Sequence, residues 1–452
     1  MYLRKFLIFV CVISGLQSFA QSYESVENVI ETAKESSRFN LLVKNNDYSL
    51  ARECAENLVV DNQIFLSDYL CNNTLYKLKN QNTKASALCL IRELYTTKNN
   101  GLKRLVAPIY YYQLFLNTTK PDSINSLLNE YFLLVNKYSS YDTKIDLYSI
   151  LIVKRLQTIN TVSNETIHSI LSQSIINLLK FKEVDFKDHI DKSLLNSRMW
   201  CRLMLANLYY LDYKVTKETN PELLRKSSEY SCDINDFIYI HHISAVTRLL
   251  FGIDQMGFDG EYAKYLIANS DKRQALEVLT KRAMLLPSNK NMLTLRDLFR
   301  DTDTGKDFKT YWIEKLNAFY KPVKNLSLST IENKKLKISD FKGSWVYMDV
   351  WGSWCAPCKN DLPNVQKFYE QIQNDSTANI KMLTLSYNST NIKGFMNQNN
   401  YTFPVAEIES YENNVLNVYF FPTRFLITPD GSIIRIPFVT NWSEMVRNFA
   451  LF

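Results

Sequence analysis

Residues 351–363 read WGSWCAPCKNDLP and contain two cysteines three positions apart, Cys355 and Cys358. Tryptophans stand before the pair, and Pro363 follows five positions after the second cysteine. Such a Cys-x-x-Cys pair can exchange disulfides, supply two ligands to a metal, or close one turn of chain on itself. The rest of the sequence decides which of these chemistries applies.

The length and composition of the chain predict a globular protein of more than one domain. Its 452 residues exceed one ordinary domain and indicate two or three. Apolar residues make up 46% and charged residues 22%, which is typical of folded rather than disordered chains. The net charge of +7 is spread along the sequence without a dense Lys/Arg block, so no nucleic-acid partner is expected.

The N-terminus predicts a secretory signal peptide over residues 1–20. Residues 4–5 are basic, residues 6–15 are apolar, and residues 18–20 form a small-x-small cleavage site. The apolar run falls short of the roughly 20 residues needed to cross a bilayer, which disfavours a retained anchor. We therefore expect export to the periplasm or cell envelope, where disulfides persist.

Of the eight cysteines, one lies in the signal peptide and two form the 355/358 pair. The other five are odd in number, lack the spacing of a metal site, and mostly stand among apolar residues. Buried small hydrophobic side chains are therefore favoured over structural disulfides. No function is assigned to Cys54, Cys71, Cys89, Cys201 or Cys232.

Residues 21–320 predict an all-α region of helical hairpins. In residues 124–131, apolar side chains recur at the i, i+3, i+4, i+7 spacing of an amphipathic helix, after a Pro-Asp-Ser start signal. Residues 260–289 place small and apolar side chains at spacings that resemble a tetratricopeptide repeat. Those residues are Ala263, Leu266, Ala275, Leu279 and Pro287. The repeat cannot be traced further, so a tetratricopeptide-like solenoid and an irregular helical bundle both stay open.

After Pro322 the pattern changes to short strands alternating with helices. Strands are predicted at 326–328, 336–338, 345–350, 380–386, 424–427 and 433–436, and helices at 358–371, 392–398 and 442–449. This alternation, ending in a hairpin around a Pro-Asp-Gly turn, is typical of a small α/β domain with a mixed central sheet. The domain is expected to span residues 323–452.

The predicted strand-to-helix junction gives the two cysteines different roles. Unpaired backbone N–H groups and the helix dipole favour a thiolate at a helix N-terminus, so Cys355 is predicted to be an exposed nucleophile. Cys358, one turn into the helix, is predicted to be the more buried resolving thiol. Asp349, on the preceding strand, is predicted to accept the proton of that thiol. The alternative for Asp349 is a buried carboxyl hydrogen-bonded to water.

Metal binding and haem attachment fit the pair less well. Structural zinc needs four ligands, usually from two such pairs, and this chain has one pair and four His that do not cluster near it. A haem attachment site would need His after Cys358, where Lys359 stands. We therefore expect no metal and no cofactor apart from the Cys355–Cys358 dithiol itself.

The segment VYMDVWGSWCAPCKNDLP resembles the active-site segment of the thioredoxin superfamily, and within it the TlpA-like extracytoplasmic thiol-disulfide oxidoreductases. The resemblance covers about residues 323–452. Asp349 takes the position of the buried acid of thioredoxin, and Asp361 that of a frequent family Glu. Far downstream, Phe421-Pro422-Thr423 before a strand matches the cis-proline loop of the family.

The resemblance implies a thioredoxin-like fold and a substrate-binding groove formed by Trp354, Phe421, Pro422 and Thr423. It also implies net reduction of disulfides in cell-envelope proteins, with electrons returned by a membrane dithiol donor. The motif does not set the direction of electron flow, so a disulfide oxidase or isomerase is one alternative. In the other alternative, the helical region binds a protein partner and the redox domain is accessory.

Overall fold

The computed structural model describes residues 26–61, 66–67, 69–70, 81–137, 145–159, 162–182, 192–231, 257–323, 326–375, 378–408, 416, 418, 420–436 and 441–451. Of these, the residues up to Phe258 form one unit and those from Asp259 onward form a second. The predicted signal peptide, residues 1–20, lies outside the described residues. No helix in the described ranges is long and apolar enough to span a bilayer.

The first unit is helical, as the sequence predicts. Its helices are α1 (Val26–Lys44), α2 (Tyr48–Asp61), α3 (Gln81–Tyr95), α4 (Asn100–Asn117), α5 (Pro121–Lys137), α6 (Ile145–Ile159), α7 (Asn164–Lys182), α8 (Lys192–Val215) and α9 (Pro221–Tyr230). Helix α5 begins at the predicted start signal, where the fixed φ of proline suits the first helical turn. Its buried residues Ile124, Leu128, Tyr131 and Val135 form the expected amphipathic face.

The second unit begins with four helices: α10 (Asp259–Ala268), α11 (Lys272–Leu285), α12 (Asn289–Arg300) and α13 (Phe308–Phe319). The side chains of Asp271, Ser288 and Asp307 cap α11, α12 and α13 by accepting backbone N–H groups. Helices α10 and α11 occupy the window that resembles a tetratricopeptide repeat. A repeat architecture stays a prediction.

Helix α13 packs directly against the α/β domain. The indole N–H of Trp312 donates to the carbonyl of Phe449 at 2.9 Å, and the two rings stack at 6.3 Å. Asn317 donates to the Asp430 carboxylate at 2.6 Å and accepts a hydrogen bond from Thr428. The predicted domain boundary near residue 320 therefore marks a change from helices to strands, whereas the described part of the packed unit starts at Asp259.

The α/β domain has a seven-stranded sheet in the order β2-β1-β5-β4-β3-β6-β7. The strands are β1 (Ser327–Thr330), β2 (Lys335–Lys337), β3 (Trp345–Trp351), β4 (Ile380–Tyr387), β5 (Val405–Ile408), β6 (Thr423–Ile427) and β7 (Ile433–Ile436). Strands β3, β4 and β5 run parallel to one another. Strand β6 pairs antiparallel with β3, and β7 pairs antiparallel with β6 at the edge of the sheet. This is the predicted mixed sheet, with β5 as a strand that the sequence reading missed.

Every residue of β3 is buried, because both faces of the central strand are covered. On one face, Val346, Met348 and Val350 belong to an apolar cluster with residues of β4, β5 and β6. On the other face lie Tyr347 and Asp349, since side chains alternate along a strand. That second face is covered by α14 (Ala356–Asn374) and α16 (Trp442–Ala450), while α15 (Ile392–Gln398) follows β4.

Three of the five unassigned cysteines lie in the described part of the chain, and all three are free thiols. Cys54 and Cys201 are buried, as predicted, but Cys89 is exposed. The prediction for Cys89 was wrong because α3 turns Leu90, Ile91 and Leu94 inward and the preceding residue outward. Cys71 and Cys232 lie outside the described residues.

Candidate active site

Cys355 and Cys358 form a disulfide across the first turn of α14, with their Cα atoms 5.3 Å apart. Cys355 is the N-cap residue of the helix, and its sulfur accepts the backbone N–H of Cys358 at 3.2 Å. Pro357 lies in the first turn, where its missing N–H removes no intrahelical hydrogen bond. The Cys358 N–H group and the positive end of the helix dipole therefore act on the Cys355 sulfur, which favours its thiolate once the disulfide is reduced.

The expectation of an exposed Cys355 was wrong for the disulfide form. Cys355 is 5% exposed and Cys358 is 1% exposed. In this form the Cys355 sulfur is bonded to Cys358, which is itself buried. The surface beside it is formed by Trp354, Ala356 and Pro357, which are exposed.

An aromatic cluster lies next to the disulfide at the carboxyl edge of the parallel strands. Trp354 is 53% exposed, and its indole N–H donates to the carbonyl of Tyr387 at 3.0 Å. Its ring meets Phe421 edge-on at 5.2 Å, and Phe421 stacks on Tyr387 at 5.2 Å. A Cβ added to Gly352 would lie 2.6 Å from the indole nitrogen, so glycine is required there for this packing. We name Trp354, Phe421 and Tyr387 the aromatic groove.

Sequence reasoning found Trp354 and Phe421 but missed Tyr387. A signal was available, because Tyr387 directly follows the predicted strand 380–386 and ends the observed strand β4, and the carboxyl ends of parallel strands are where α/β folds bind ligands.

The loop before β6 has the conformation that the sequence indicated. The Phe421–Pro422 peptide bond is cis. Thr423 is buried, and its hydroxyl donates to the carbonyl of Phe420 at 2.6 Å. Its role in substrate binding stays a prediction.

A buried polar cluster lies under α14, and its central residue, Arg424, was missed by the sequence reading. Arg424 is 2% exposed and is the direct cross-strand partner of Asp349. Its Nε lies 3.6 Å from the Asp349 carboxylate and donates to the Tyr347 hydroxyl at 3.1 Å. Its Nη2 donates to Asp361, and its guanidinium lies 4.8 Å from the Trp442 ring centroid. A lone cation in the apolar strand TRFLI was the available signal, since a buried arginine is almost always paired.

These surroundings shift the pKa of Asp349. Burial raises the pKa of Asp349 to about 7, the Arg424 guanidinium lowers it, and the Asp361 carboxylate raises it. Among the described residues, the Oδ1 atom of Asp349 accepts no hydrogen bond. Asp349 therefore has a free acceptor oxygen and changes its charge near neutral pH, as a proton acceptor at this position would require.

Asp349 and Cys358 lie on the same side of the sheet. Phe368 of α14 packs edge-on against Tyr347 at 5.5 Å, which places α14 over the face that Tyr347 shares with Asp349. The buried residues of α14 begin with Cys358 and continue with Leu362. The structure thus brings the predicted proton acceptor and the predicted resolving thiol to one buried layer.

Comparisons with known proteins concern this domain. The AhpC/TSA family model matches residues 320–436. Thiol-disulfide oxidoreductase ResA of Bacillus thuringiensis subsp. konkukian is 32% identical over 118 residues, which cover 25% of this chain and 66% of that protein, slightly under two thirds of its length. Sporulation thiol-disulfide oxidoreductase A of Bacillus subtilis is 30% identical over 125 residues, which cover 27% of this chain and 75% of that protein.

A solved structure, the thioredoxin domain of a thiol-disulfide oxidoreductase from Bacteroides vulgatus, is 18% identical to this chain. Its TM-score is 0.26, and the match covers 29% of this chain and 96% of that domain.

Proposed function

This chain belongs, through its C-terminal domain, to the TlpA-like thiol-disulfide oxidoreductases of the thioredoxin superfamily, and we propose that it is an exported enzyme that reduces disulfides in cell-envelope proteins. The observation that carries the proposal is the Cys355–Cys358 disulfide at the N-terminus of α14, beside the aromatic groove. A helix N-terminus stabilises a thiolate, and an apolar surface next to it accommodates the chain that carries the target disulfide.

The proposed reaction has two exchange steps. In the first, the Cys355 thiolate attacks one sulfur of the target disulfide, forms a mixed disulfide with it, and releases the other target sulfur as a thiolate. In the second, Cys358 loses its proton to Asp349 and attacks the Cys355 sulfur. The target leaves with both sulfurs reduced, and the enzyme keeps the two-electron oxidation as the Cys355–Cys358 disulfide. A dithiol donor, proposed to be membrane-bound, then reduces this disulfide.

Two measurements on the full mature chain test the reaction and the direction of electron flow. We expect it to accelerate the reduction of insulin disulfides by dithiothreitol, and to equilibrate with glutathione at a potential near that of thioredoxin, about −270 mV. A potential near that of the strong oxidants, about −120 mV, would instead favour the oxidase alternative. No acceleration of insulin reduction would contradict the proposal.

The role of Asp349 predicts a pH dependence of the second step. Below a pKa of about 7 the carboxyl is protonated and cannot accept the thiol proton, so the resolving rate should rise with pH through an inflection near 7. In Asp349→Asn the inflection should disappear, and the resolving rate at pH 7 should fall on the order of a hundredfold. Stopped-flow measurement of the second step from pH 5 to 9 checks this. An unchanged profile in the variant would assign Asp349 a structural role only.

The aromatic groove predicts discrimination between large and small substrates. Trp354→Ala removes an exposed indole that a protein substrate would cover, and we expect KM for a protein disulfide to rise about tenfold. The rate with a small aromatic disulfide should change less than about twofold, because that reagent needs no groove. Equal losses with both substrates would mean that Trp354 acts on Cys355 itself.

Export is a proposal supported by the sequence at residues 1–20. The envelope substrates and the membrane dithiol donor are proposals supported by the family resemblance. N-terminal sequencing of the protein from the envelope fraction is expected to begin after Ala20. Recovery of the uncleaved chain from the cytosol would contradict export. Whether the helical region binds a protein partner stays a prediction.

A further inference from the structure

The position of Arg424 raises a question that the two-cysteine reaction does not answer. Removing a guanidinium from water is costly unless nearby charges and hydrogen bonds replace the lost hydration. Here Asp349, Asp361 and Tyr347 provide that replacement, and Trp442 covers one face of the guanidinium. An apolar side chain would have filled the same space in a strand whose other residues are apolar or threonine.

Register places Arg424 where it acts on Asp349 directly. The two residues are paired across β3 and β6, so their side chains leave the sheet on the same face. The Arg424 Nε to Asp349 Oδ2 distance of 3.6 Å is an ion pair without a hydrogen bond. The other carboxylate oxygen, Oδ1, has no hydrogen-bond partner among the described residues. The guanidinium therefore stabilises the negative charge without occupying the oxygen that would take a proton.

The ion pair between Arg424 and Asp361 places the Arg424–Asp349 pair near the resolving cysteine, Cys358. Asp361 lies three residues after Cys358 on α14, and residues at that spacing are neighbours on a helix surface. Arg424 bonds Asp361, so its guanidinium lies within about one helical turn of Cys358.

The groups that face Asp349 come from four elements. Arg424 faces it from β6, Asp361 faces it from α14, and Tyr347 lies two residues away on β3. Cys358 is a buried residue of α14, the helix that covers this face of the sheet. On β4, the register partner of Asp349 is Thr384, which carries no charge. Among these groups, Arg424 is the only fixed positive charge.

We propose that Arg424 is a positioning residue, which keeps Asp349 ionised on the sheet face under Cys358 and thereby speeds the attack of Cys358 on the mixed disulfide. This inference rests on the proposed exchange reaction. In the assisted step, the Cys358 proton moves to Asp349, a Cys358–Cys355 bond forms, and the bond between Cys355 and the target sulfur breaks. The target leaves as a thiolate, and no further oxidant or reductant is needed.

The experiment separates the two steps with one reagent. The reduced full-length chain is mixed with one equivalent of dithiobis-nitrobenzoate, an aromatic disulfide whose released thiolate absorbs visible light. Attack by Cys355 releases the first thiolate at a rate proportional to reagent concentration. Attack by Cys358 releases the second at a rate independent of that concentration, and this rate is measured from pH 5 to 11.

In Arg424→Gln we expect the inflection near pH 7 to move up by about one to three pH units, because the stabilising positive charge is lost. The first release should keep its rate within about threefold, since Cys355 is activated by the helix N-terminus instead. Arg424→Lys should recover part of the shift, because it keeps the charge but loses the fork geometry. Arg447→Gln is the matched control, since Arg447 stacks on Phe368 and donates to Gln371 instead, and it should leave the inflection in place.

A second variant protects the test against misfolding of Arg424→Gln. Asp361→Asn removes a negative charge that raises the pKa of Asp349, so its inflection should move to lower pH. Opposite shifts in the two variants support the proposal. If Arg424→Gln folds, an inflection that stays near pH 7, or shifts of the same sign in both variants, would overturn the proposal. If Arg424→Gln does not fold, an unmoved inflection in Asp361→Asn would overturn it. Absence of the first release in the wild-type chain would overturn the proposed function, and this inference with it.

Discussion

A Cys355→Ser variant is expected to lose more than about a thousandfold of its thiol-disulfide exchange rate, because a hydroxyl stays protonated where the thiol ionises. The helix N-terminus, with the Cys358 N–H 3.2 Å from the Cys355 sulfur, lowers the cost of a thiolate but cannot ionise an alcohol at neutral pH. The measurement is the second-order rate with a small aromatic disulfide and with a protein disulfide. Both rates should fall together, because both depend on the first attack.

The matched control for this substitution is Cys89→Ser. Cys89 is a free, exposed cysteine on α3, so it tests whether any accessible thiol of the chain supports exchange. We expect its rates to equal those of the wild-type chain. If Cys355→Ser retained appreciable exchange that Cys89→Ser removed, the reactive centre would lie in the helical unit instead.

The strands of the α/β domain were predictable where the signal is local. Alternation of apolar and polar residues predicts the hairpin strands β1 and β2, and a mostly apolar run predicts the buried strand β3. Strand β5 was missed because its four residues, Val405–Ile408, carry no pattern of their own. It becomes a strand by pairing with β1 on one side and β4 on the other, and that pairing is a property of the whole sheet.

The same distinction holds within the candidate site. Cys355, Cys358 and Trp354 are contiguous in sequence, so their arrangement follows from one strand-to-helix junction. Tyr387 and Arg424 reach the site through sheet register, from strands about 30 and 70 residues further along the chain. Register depends on the pairing of every strand, so the sequence predicts the reactive sulfurs but not the buried guanidinium of Arg424.

The burial of Cys355 shows a further limit of sequence reasoning. The sequence indicates a helix N-terminus, and N-termini are commonly exposed, so an accessible sulfur was the natural expectation. The accessibility of the sulfur depends on its bonding partner: in the disulfide it is joined to Cys358, which is 1% exposed. Reduction removes that bond, so we expect Cys355 to react with alkylating reagents in the reduced chain only.

Replacing Cys358 with alanine is expected to stop the reaction after its first step. The Cys355 thiolate still attacks, but no neighbouring thiol remains to displace the target, so the mixed disulfide accumulates. With one equivalent of aromatic disulfide, the variant should release one thiolate per chain where the wild-type chain releases two. In an envelope extract it should form adducts that separate on non-reducing gels and disappear on reduction.

Adding Cys355→Ser to this variant should abolish every adduct, because the trapped bond is made through the Cys355 sulfur. Adducts that survive in the double variant would place the attacking thiol elsewhere. Release of a second thiolate by Cys358→Ala at the wild-type rate would show that another cysteine resolves the mixed disulfide.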